Sequence, residues 1–291
     1  MTTQKHKPVK LASTAQKDTP PDKQGDNNTD DAQKDTDSFL NAILWAAVIA
    51  LVVRSFLFEP FSIPSGSMFP TLKVGDYLFV SKYSYGYGQY SFPLGLIKFD
   101  GRIFEKTPER GDIAVFRRPY EEDIDYIKRI IGLPGDRIQM IDGQLHINGQ
   151  LIARDFIGLE TLTENDTKQT YHKYIQSLPD TDVSHHIYEL SDDEPLDFTT
   201  QFKVPKGYFF AMGDNRDESL DSRAVASVGF VPFENLIGKA SFFFFSVEPI
   251  GNKCHKSGAL KIIKSLACKI FYLPTHIRYN RVFKPVHRSV N

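Results

Sequence analysis

The sequence predicts a mostly β protein, in which an antiparallel β body with a polar cap insertion follows one transmembrane helix. Two observations lead to this fold class. Residues 39–53 are apolar at every position except Asn41. After Pro60 the chain changes to short β-type runs, each introduced by a glycine-containing turn. An apolar run followed by many short strands is typical of an anchored β domain.

The amino-terminal region divides into a polar tail and an apolar segment. Residues 1–37 contain no Phe, Trp, Tyr or Ile, and this composition predicts a disordered tail. Residues 38–58 predict a transmembrane anchor, because about 20 helical residues cross a hydrocarbon layer of ~30 Å. Arg54 must then reach the interface. A buried core helix and a cleaved signal peptide are the alternatives, although 37 polar residues before the apolar run are unusual for a signal peptide. The flanking charges do not decide the orientation.

Residues 59–250 form the predicted β-rich domain. Strand-like runs occur at 73–80, 109–116, 133–140 and 205–212. Two dipeptides, Asp142-Gly143 and Asn148-Gly149, lie between alternating apolar residues and predict tight hairpins. Residues 150–204 are polar and acidic with few periodic segments, and we interpret them as a cap inserted into the body.

Residues 251–291 form a basic carboxy-terminal extension. They contain nine Lys or Arg and no Asp or Glu, whereas the whole chain has a net charge of −1. This balance argues against a general nucleic-acid binder. Apolar residues at helical spacing in 260–271 predict an amphipathic helix, which either lies on a membrane or packs on the β body. The two cysteines, Cys254 and Cys268, lack the spacing of a zinc site but can form one disulfide in an oxidising compartment.

Three segments contain candidate catalytic groups. Residues 64–72, with the sequence PSGSMFPTL, predict a rigid turn that presents a serine hydroxyl, although such a segment is usually only a loop. Lys128 lies within the apolar run YIKRIIG. If it points inward, burial lowers its pKa toward that of a general base; otherwise it faces solvent on an alternating strand. Residues 213–223 combine acids, arginines and serines, which also fits a solvated loop.

Four segments together resemble the bacterial type I signal peptidases: SGSMFPTL, RGDIAVF, YIKRIIGLPGD and GDNRDESLDSR. They occur in that family's order after an amino-terminal anchor, and the resemblance covers about residues 59–238. It implies a serine protease that removes signal peptides from exported preproteins at a bacterial cytoplasmic membrane. Many members have two anchors and this chain has one, so its amino terminus is expected in the cytoplasm and its body on the outer, periplasmic face.

The resemblance also implies roles for individual residues. Ser67 would be the nucleophile that forms the acyl-enzyme, and Lys128 would be its general base. Ser65 would join the Ser67 N–H in the oxyanion hole, and Ser219 would orient the lysine by a hydrogen bond. The apolar lining of pockets for small residues at the −1 and −3 positions would be Phe61, Ile63, Met68, Leu72, Tyr126 and Ile127. A structural ion-pair network would comprise Asp214, Arg216, Asp221 and Arg223, in which we assume that Asp214 pairs with Arg216 and Asp221 with Arg223.

Other chemistries have weaker candidates in the sequence. None of the eight histidines lies within the four segments, so a Ser-His-Asp triad has no candidate there. The pair His185-His186 lacks a suitably spaced partner, and we expect no metal and no cofactor. The expected partners are preprotein signal peptides and membrane lipid, without nucleic acid, and the chain is expected to be monomeric.

Two other classes compete with this interpretation. One class is a different Ser/Lys enzyme. A penicillin-binding protein needs the motif Ser-x-x-Lys, which the sequence lacks. A self-cleaving repressor would carry a DNA-binding domain where this chain has a predicted disordered tail and an anchor. The other class is a non-enzymatic membrane adaptor, which predicts that Ser67, Lys128 and Ser219 lie out of mutual reach.

Overall fold

The computed structural model describes residues 27–92, 99–164, 167–249 and 273–286, together with the single residues 2, 268 and 271. The elements in chain order are α1 (Asn27–Phe56), β1 (Phe58–Ser62), β2 (Asp76–Ser81), β3 (Ile113–Arg118), β4 (Glu121–Gly132), β5 (Arg137–Ile141), β6 (Gln144–Ile147), β7 (Gln150–Leu151), β8 (Arg154–Glu164), β9 (Thr167–Ser177), β10 (Ser184–Glu189), β11 (Phe202–Lys203), β12 (Tyr208–Met212), β13 (Val231–Pro232) and β14 (Leu236–Ser246).

The helix α1 is longer at its amino end than the sequence predicted. It begins at Asn27, so residues 27–37, which we expected to be disordered, are helical. Ser38–Phe56 is long and apolar enough to cross a membrane, with a mean hydropathy of 2.0. The chain divides into two compact units between Ile49 and Ala50.

A seven-stranded antiparallel sheet forms the centre of the second unit, with the strand order β1-β2-β14-β3-β4-β12-β13. Strand β14, the last of these strands in chain order, pairs with both β2 and β3 and therefore lies inside the sheet and not at its edge. Ile113 and Val115 of β3 are buried in one core cluster with Leu78 and Val80 of β2. The predicted strands at 73–80, 109–116 and 205–212 correspond to β2, β3 and β12.

A second sheet has the order β11-β5-β6-β7 and contains both predicted hairpins. Asp142 and Gly143 have φ values of 49° and 68°, and Asn148 and Gly149 have 55° and 82°. Positive φ at both turn residues is the conformation that such dipeptides favour. The hairpin predictions are confirmed.

The cap is more regular than its composition indicated. Within 150–204, strands β8, β9 and β10 form a three-stranded antiparallel sheet. The expectation of few periodic segments was wrong for this part of the chain. The first four residues of β9 are all exposed, so this end of the hairpin shows no alternation of apolar and polar residues.

The carboxy-terminal segment 277–286 pairs with the β body, which corrects the boundary predicted at residue 250. Ile277 forms a β-bridge with Val247, and Pro285 forms one with Phe242. Most of the predicted amphipathic helix, 260–271, lies outside the described residues. Cys268 takes part in a disulfide bond, and Cys254, the other cysteine of the sequence, also lies outside the described residues.

Candidate active site

Ser67 lies in a tight turn between β1 and β2. The turn is closed by hydrogen bonds from Phe69 N to Gly66 O and from Leu72 N to Met68 O, both 2.9 Å long. Met68 and Leu72 are completely buried and anchor the turn to the core. Ser67 itself stays partly exposed, so its hydroxyl is accessible from one side.

Lys128 reaches this hydroxyl from β4. Its backbone pairs with Ala114 of β3, and its side chain is buried, with only 4% of the residue exposed. The Nζ atom is hydrogen-bonded to Ser67 Oγ. It also lies 5.3 Å from the centre of the Tyr126 ring. The lysine therefore points inward, which was one of the two orientations that the sequence allowed.

The environment of Lys128 favours its neutral form. Burial lowers the pKa of Lys128 to about 8, and this effect exceeds the opposing effects of the Asp221 and Asp214 carboxylates. Both carboxylates already have cationic partners: Asp221 is paired with Arg223 at 2.9 Å, and Asp214 with Arg129 at 2.7 Å. The uncharged amine is the form that accepts a proton.

The pairing of Asp214 differs from the predicted network. Its two oxygens bind Arg129 Nε at 2.8 Å and Arg129 Nη2 at 2.7 Å. Arg216, the expected partner, instead donates hydrogen bonds to Gln176 Oε1 and Gly213 O. The register of β4 against β12 places Arg129 opposite Met212, two residues before Asp214, and this geometry selects the pair. The predicted pair of Asp221 and Arg223 is present.

Ser219 lies close to the nucleophile but does not hold the lysine in this structure. Its Oγ is buried and has no hydrogen-bond partner among the described residues. The predicted hydrogen bond to Lys128 is therefore absent. A Cβ at Gly213 would lie 2.2 Å from Ser219 Oγ and 2.4 Å from Ser67 O, so only glycine allows this approach. Ser65 is exposed, two residues before the nucleophile.

The predicted pocket residues separate into two groups. The first group is buried in the core beneath the turn that carries Ser67, with 0–3% of each residue exposed. It comprises Ile63, Met68 and Leu72. The partly exposed surface comes from the second group, which comprises Phe61, Tyr126 and Ile127.

Asn215 is a residue of the site that the sequence reasoning gave no role. Its backbone N–H donates to Ser67 O at 3.1 Å, and its side-chain Nδ2 donates to Gly66 O at 3.2 Å. Asn215 is completely buried. An asparagine beside Asp214 in a segment already assigned to the site was a signal that could have indicated this contact.

Arg281, in the carboxy-terminal segment, also contacts the turn. Its guanidinium binds the buried carboxylate of Asp76 at 2.6 Å and donates to Thr71 O at 2.8 Å. Thr71 Oγ1 in turn donates to Asp214 at 2.5 Å. No pattern along the chain indicates the ion pair of Asp76 and Arg281, whose members are 205 positions apart.

His185 is buried beside the ion pair of Asp214 and Arg129, and its Nε2 atom lies 3.7 Å from Asp214 Oδ1. Burial, followed by the charge of Arg129, lowers the pKa of His185 well below its ordinary value, so the ring is neutral. Among the described residues, no three His, Cys, Asp or Glu side chains are grouped in a way that could hold a metal ion.

A serine hydroxyl in contact with a buried lysine of lowered pKa is the arrangement of a hydrolase that uses an activated serine. The family model described as signal peptidase, peptidase S26, matches residues 36–245. Similar curated proteins include signal peptidase I of Rickettsia massiliae, 39% identical over 91% of this chain and 99% of that protein. Signal peptidase I of Rickettsia typhi is 42% identical over 82% of this chain and 89% of that protein.

The chain belongs to the signal peptidase family, peptidase S26. A solved structure of a signal peptidase I from Enterococcus faecalis is 27% identical and covers 46% of this chain and 97% of its own, with a TM-score of 0.27. This chain is thus a peptidase by family.

Proposed function

We propose that this chain is a membrane-bound serine endopeptidase that removes amino-terminal signal peptides from exported preproteins. The observation that carries the proposal is the hydrogen bond between the buried Lys128 Nζ and Ser67 Oγ. Membership of the signal peptidase family supports the substrate class. The contact also argues against a non-enzymatic adaptor, for which these two groups have no reason to meet.

The chemistry follows from this contact. Neutral Lys128 takes the proton of Ser67 as the oxygen attacks the carbonyl carbon at the −1 position, and an oxyanion forms. The Ser67 N–H and the Ser65 hydroxyl stabilise that oxyanion. Lys128 then gives its proton to the leaving amine, and the acyl-enzyme remains. A water molecule, deprotonated by the same lysine, cleaves the ester and restores Ser67.

The preference of this site would be for small residues at −1 and −3. The partly exposed side chains of Phe61, Tyr126 and Ile127 are bulky and apolar. Phe61 lies on β1, which leads into the turn that carries Ser67, and the other two lie on β4, which carries Lys128. A pocket with such walls accepts Ala and excludes larger groups.

The proposed location is the bacterial cytoplasmic membrane, with a single span at Ser38–Phe56. The catalytic body would lie on the outer, periplasmic face, because exported preproteins are processed there, and the amino terminus would be cytoplasmic. The proposed mechanism uses no metal and no cofactor, and one chain supplies all of its groups.

The test uses the full chain in detergent and a preprotein with Ala at −1 and −3. We expect one cut after the −1 residue, identified by sequencing the new amino terminus. Ser67→Ala should show no product, whereas the control Ser62→Ala, at an exposed serine of β1, should cleave normally. Leu in place of Ala at −1 should reduce kcat/KM at least 100-fold. Cleavage by Ser67→Ala, or equal rates for Ala and Leu, would contradict the proposal.

A further inference from the structure

A chain of hydrogen bonds connects the cap to the turn that carries the nucleophile. Tyr171, on β9 of the cap, donates from its hydroxyl to Glu218 Oε2 at 2.7 Å. The same oxygen accepts a hydrogen bond from Asn215 Nδ2 at 3.0 Å. Asn215 Nδ2 also donates to Gly66 O at 3.2 Å. One amide group thus donates both to Glu218, which the cap contacts through Tyr171, and to Gly66, in the turn that carries Ser67.

This bridge fixes the peptide unit that contains the Ser67 N–H. The Gly66 carbonyl and the Ser67 N–H belong to one planar peptide group and point in opposite directions. Holding Gly66 O therefore sets the direction of the Ser67 N–H. The backbone N–H of Asn215 holds the next unit through Ser67 O at 3.1 Å.

The backbone of Asn215 is itself held by the cap. Tyr188 of β10 forms a parallel bridge with Asn215, with Tyr188 N donating to Asp214 O and Arg216 N donating to Tyr188 O, both at 2.8 Å. The Tyr171 ring is stacked on Tyr188 with 5.3 Å between centroids. Glu218 is exposed, so without its hydrogen bonds its side chain is free to turn toward solvent.

We propose that Tyr171 and Glu218 are positioning residues that orient the oxyanion-binding Ser67 N–H through Asn215, and that the cap thereby acts in catalysis. This proposal rests on the proposed function. An oxyanion donor interacts with charge that develops only in the transition state. Loss of the bridge should therefore lower kcat while leaving KM unchanged. It should also leave the pH midpoint unchanged, because Lys128 is not a member of this hydrogen-bond chain.

The experiment compares Tyr171→Phe with Tyr174→Phe in the full chain in detergent. Both changes remove one hydroxyl from β9, but Tyr174 packs against Phe156 and takes no part in the bridge. Loss of one oxyanion-hole donor costs roughly 100-fold or more, so a loosened donor should cost about three- to tenfold in kcat. Tyr174→Phe should keep the parental kcat. Glu218→Ala should lose as much as Tyr171→Phe, and the double variant should be no worse than Glu218→Ala.

A second measurement does not depend on turnover. Deuterium uptake in a peptide covering residues 64–70 should be faster in Tyr171→Phe than in Tyr174→Phe. Equal kcat and equal uptake in these two variants, a higher KM, or a shifted pH midpoint would each overturn the positioning proposal. If the parental chain cleaves the preprotein and Ser67→Ala does not, such a result refutes the positioning alone. If no preprotein is cleaved while the uptake changes as expected, only the proposed function fails.

Discussion

Two lysines are buried among the described residues, and they have different surroundings. Lys82, directly after β2, is 1% exposed, and its Nζ lies 2.8 Å from Glu59 Oε2. Lys128, on β4, is 4% exposed, and its Nζ contacts the neutral hydroxyl of Ser67. Similar burial therefore accompanies contact with a carboxylate in one region and contact with a neutral hydroxyl in the other.

The comparison shows that two buried lysines can have nearest partners of different charge, so the partner matters as well as burial. A carboxylate in contact offsets much of the desolvation cost of the charge and makes the pair structural. The carboxylates near Lys128, Asp214 and Asp221, are held by Arg129 and Arg223. With its counter-charges engaged elsewhere, Lys128 loses its proton more easily and can act as a base.

The largest expected effect is the loss of activity when Lys128 is replaced. Lys128→Ala should lower kcat/KM by roughly 10⁴ or more, as Ser67→Ala should, because the two groups are expected to act as one unit. The double variant should be no worse than either single variant. Product formation from a preprotein is the measurement, and circular dichroism checks the fold. Substantial turnover by Lys128→Ala at neutral pH would remove the distinction between the two lysines.

The next effect concerns Lys82. Lys82→Met should lower the free energy of unfolding by about 3 kcal/mol, because Glu59 loses one of its two cationic partners in a largely buried site. The activity of the folded protein should stay near the parental value. Urea denaturation and the cleavage assay together measure this, with Lys206→Met at an exposed lysine as the control. Loss of activity without loss of stability would make Lys82 catalytic.

Lys128→Met should have the opposite effect on stability. Because the pKa of Lys128 is lowered from 10.5 to about 8 in the folded state, the unfolded chain binds more protons between these values. Stability therefore rises with pH across that window, and the charged lysine costs stability below it. Lys128→Met should raise the free energy of unfolding by about 3 kcal/mol near pH 7 and give no gain above pH 10.5. A destabilised variant at pH 7 would contradict the assignment.

The smallest effect is the dependence of activity on pH. With a pKa of about 8 for Lys128, kcat/KM should rise about tenfold per pH unit below pH 8 and level off above it. The measurement uses a short Ala-x-Ala peptide in detergent between pH 6 and 10. Lys82→Met should keep the same midpoint. A profile that is flat across this range would show that Lys128 is not the base.

Much of the fold could be predicted because it follows from local sequence. The turn dipeptides Asp142-Gly143 and Asn148-Gly149 determine their own backbone conformation, and the apolar run of 39–53 identifies its helix without any tertiary information. The strands of the cap were missed because part of the β8–β9 hairpin is exposed, so burial does not impose an alternating pattern there.

The candidate site was less accessible to sequence reasoning wherever it depends on pairing between distant strands. The segments around Ser67 and Lys128 identified the two residues, but the inward orientation of Lys128 depends on the register of β4 with β3. The pairing of Asp214 with Arg129 instead of Arg216 depends on the register of β4 with β12. Neither register can be deduced from the spacing of residues along the chain.

The contact of Arg281 with Asp76 and Thr71 has a consequence for biosynthesis. Arg281 leaves the ribosome after every strand of the body, and synthesis proceeds at roughly 5–20 residues per second. Until then the buried carboxylate of Asp76 lacks this guanidinium, and the turn that bears Ser67 lacks one of its supports. A chain that ends before residue 277 contains Ser67 and Lys128 but lacks the contacts of Arg281 with Asp76 and Thr71. Residues made after β14 thus complete the support of the turn that carries Ser67.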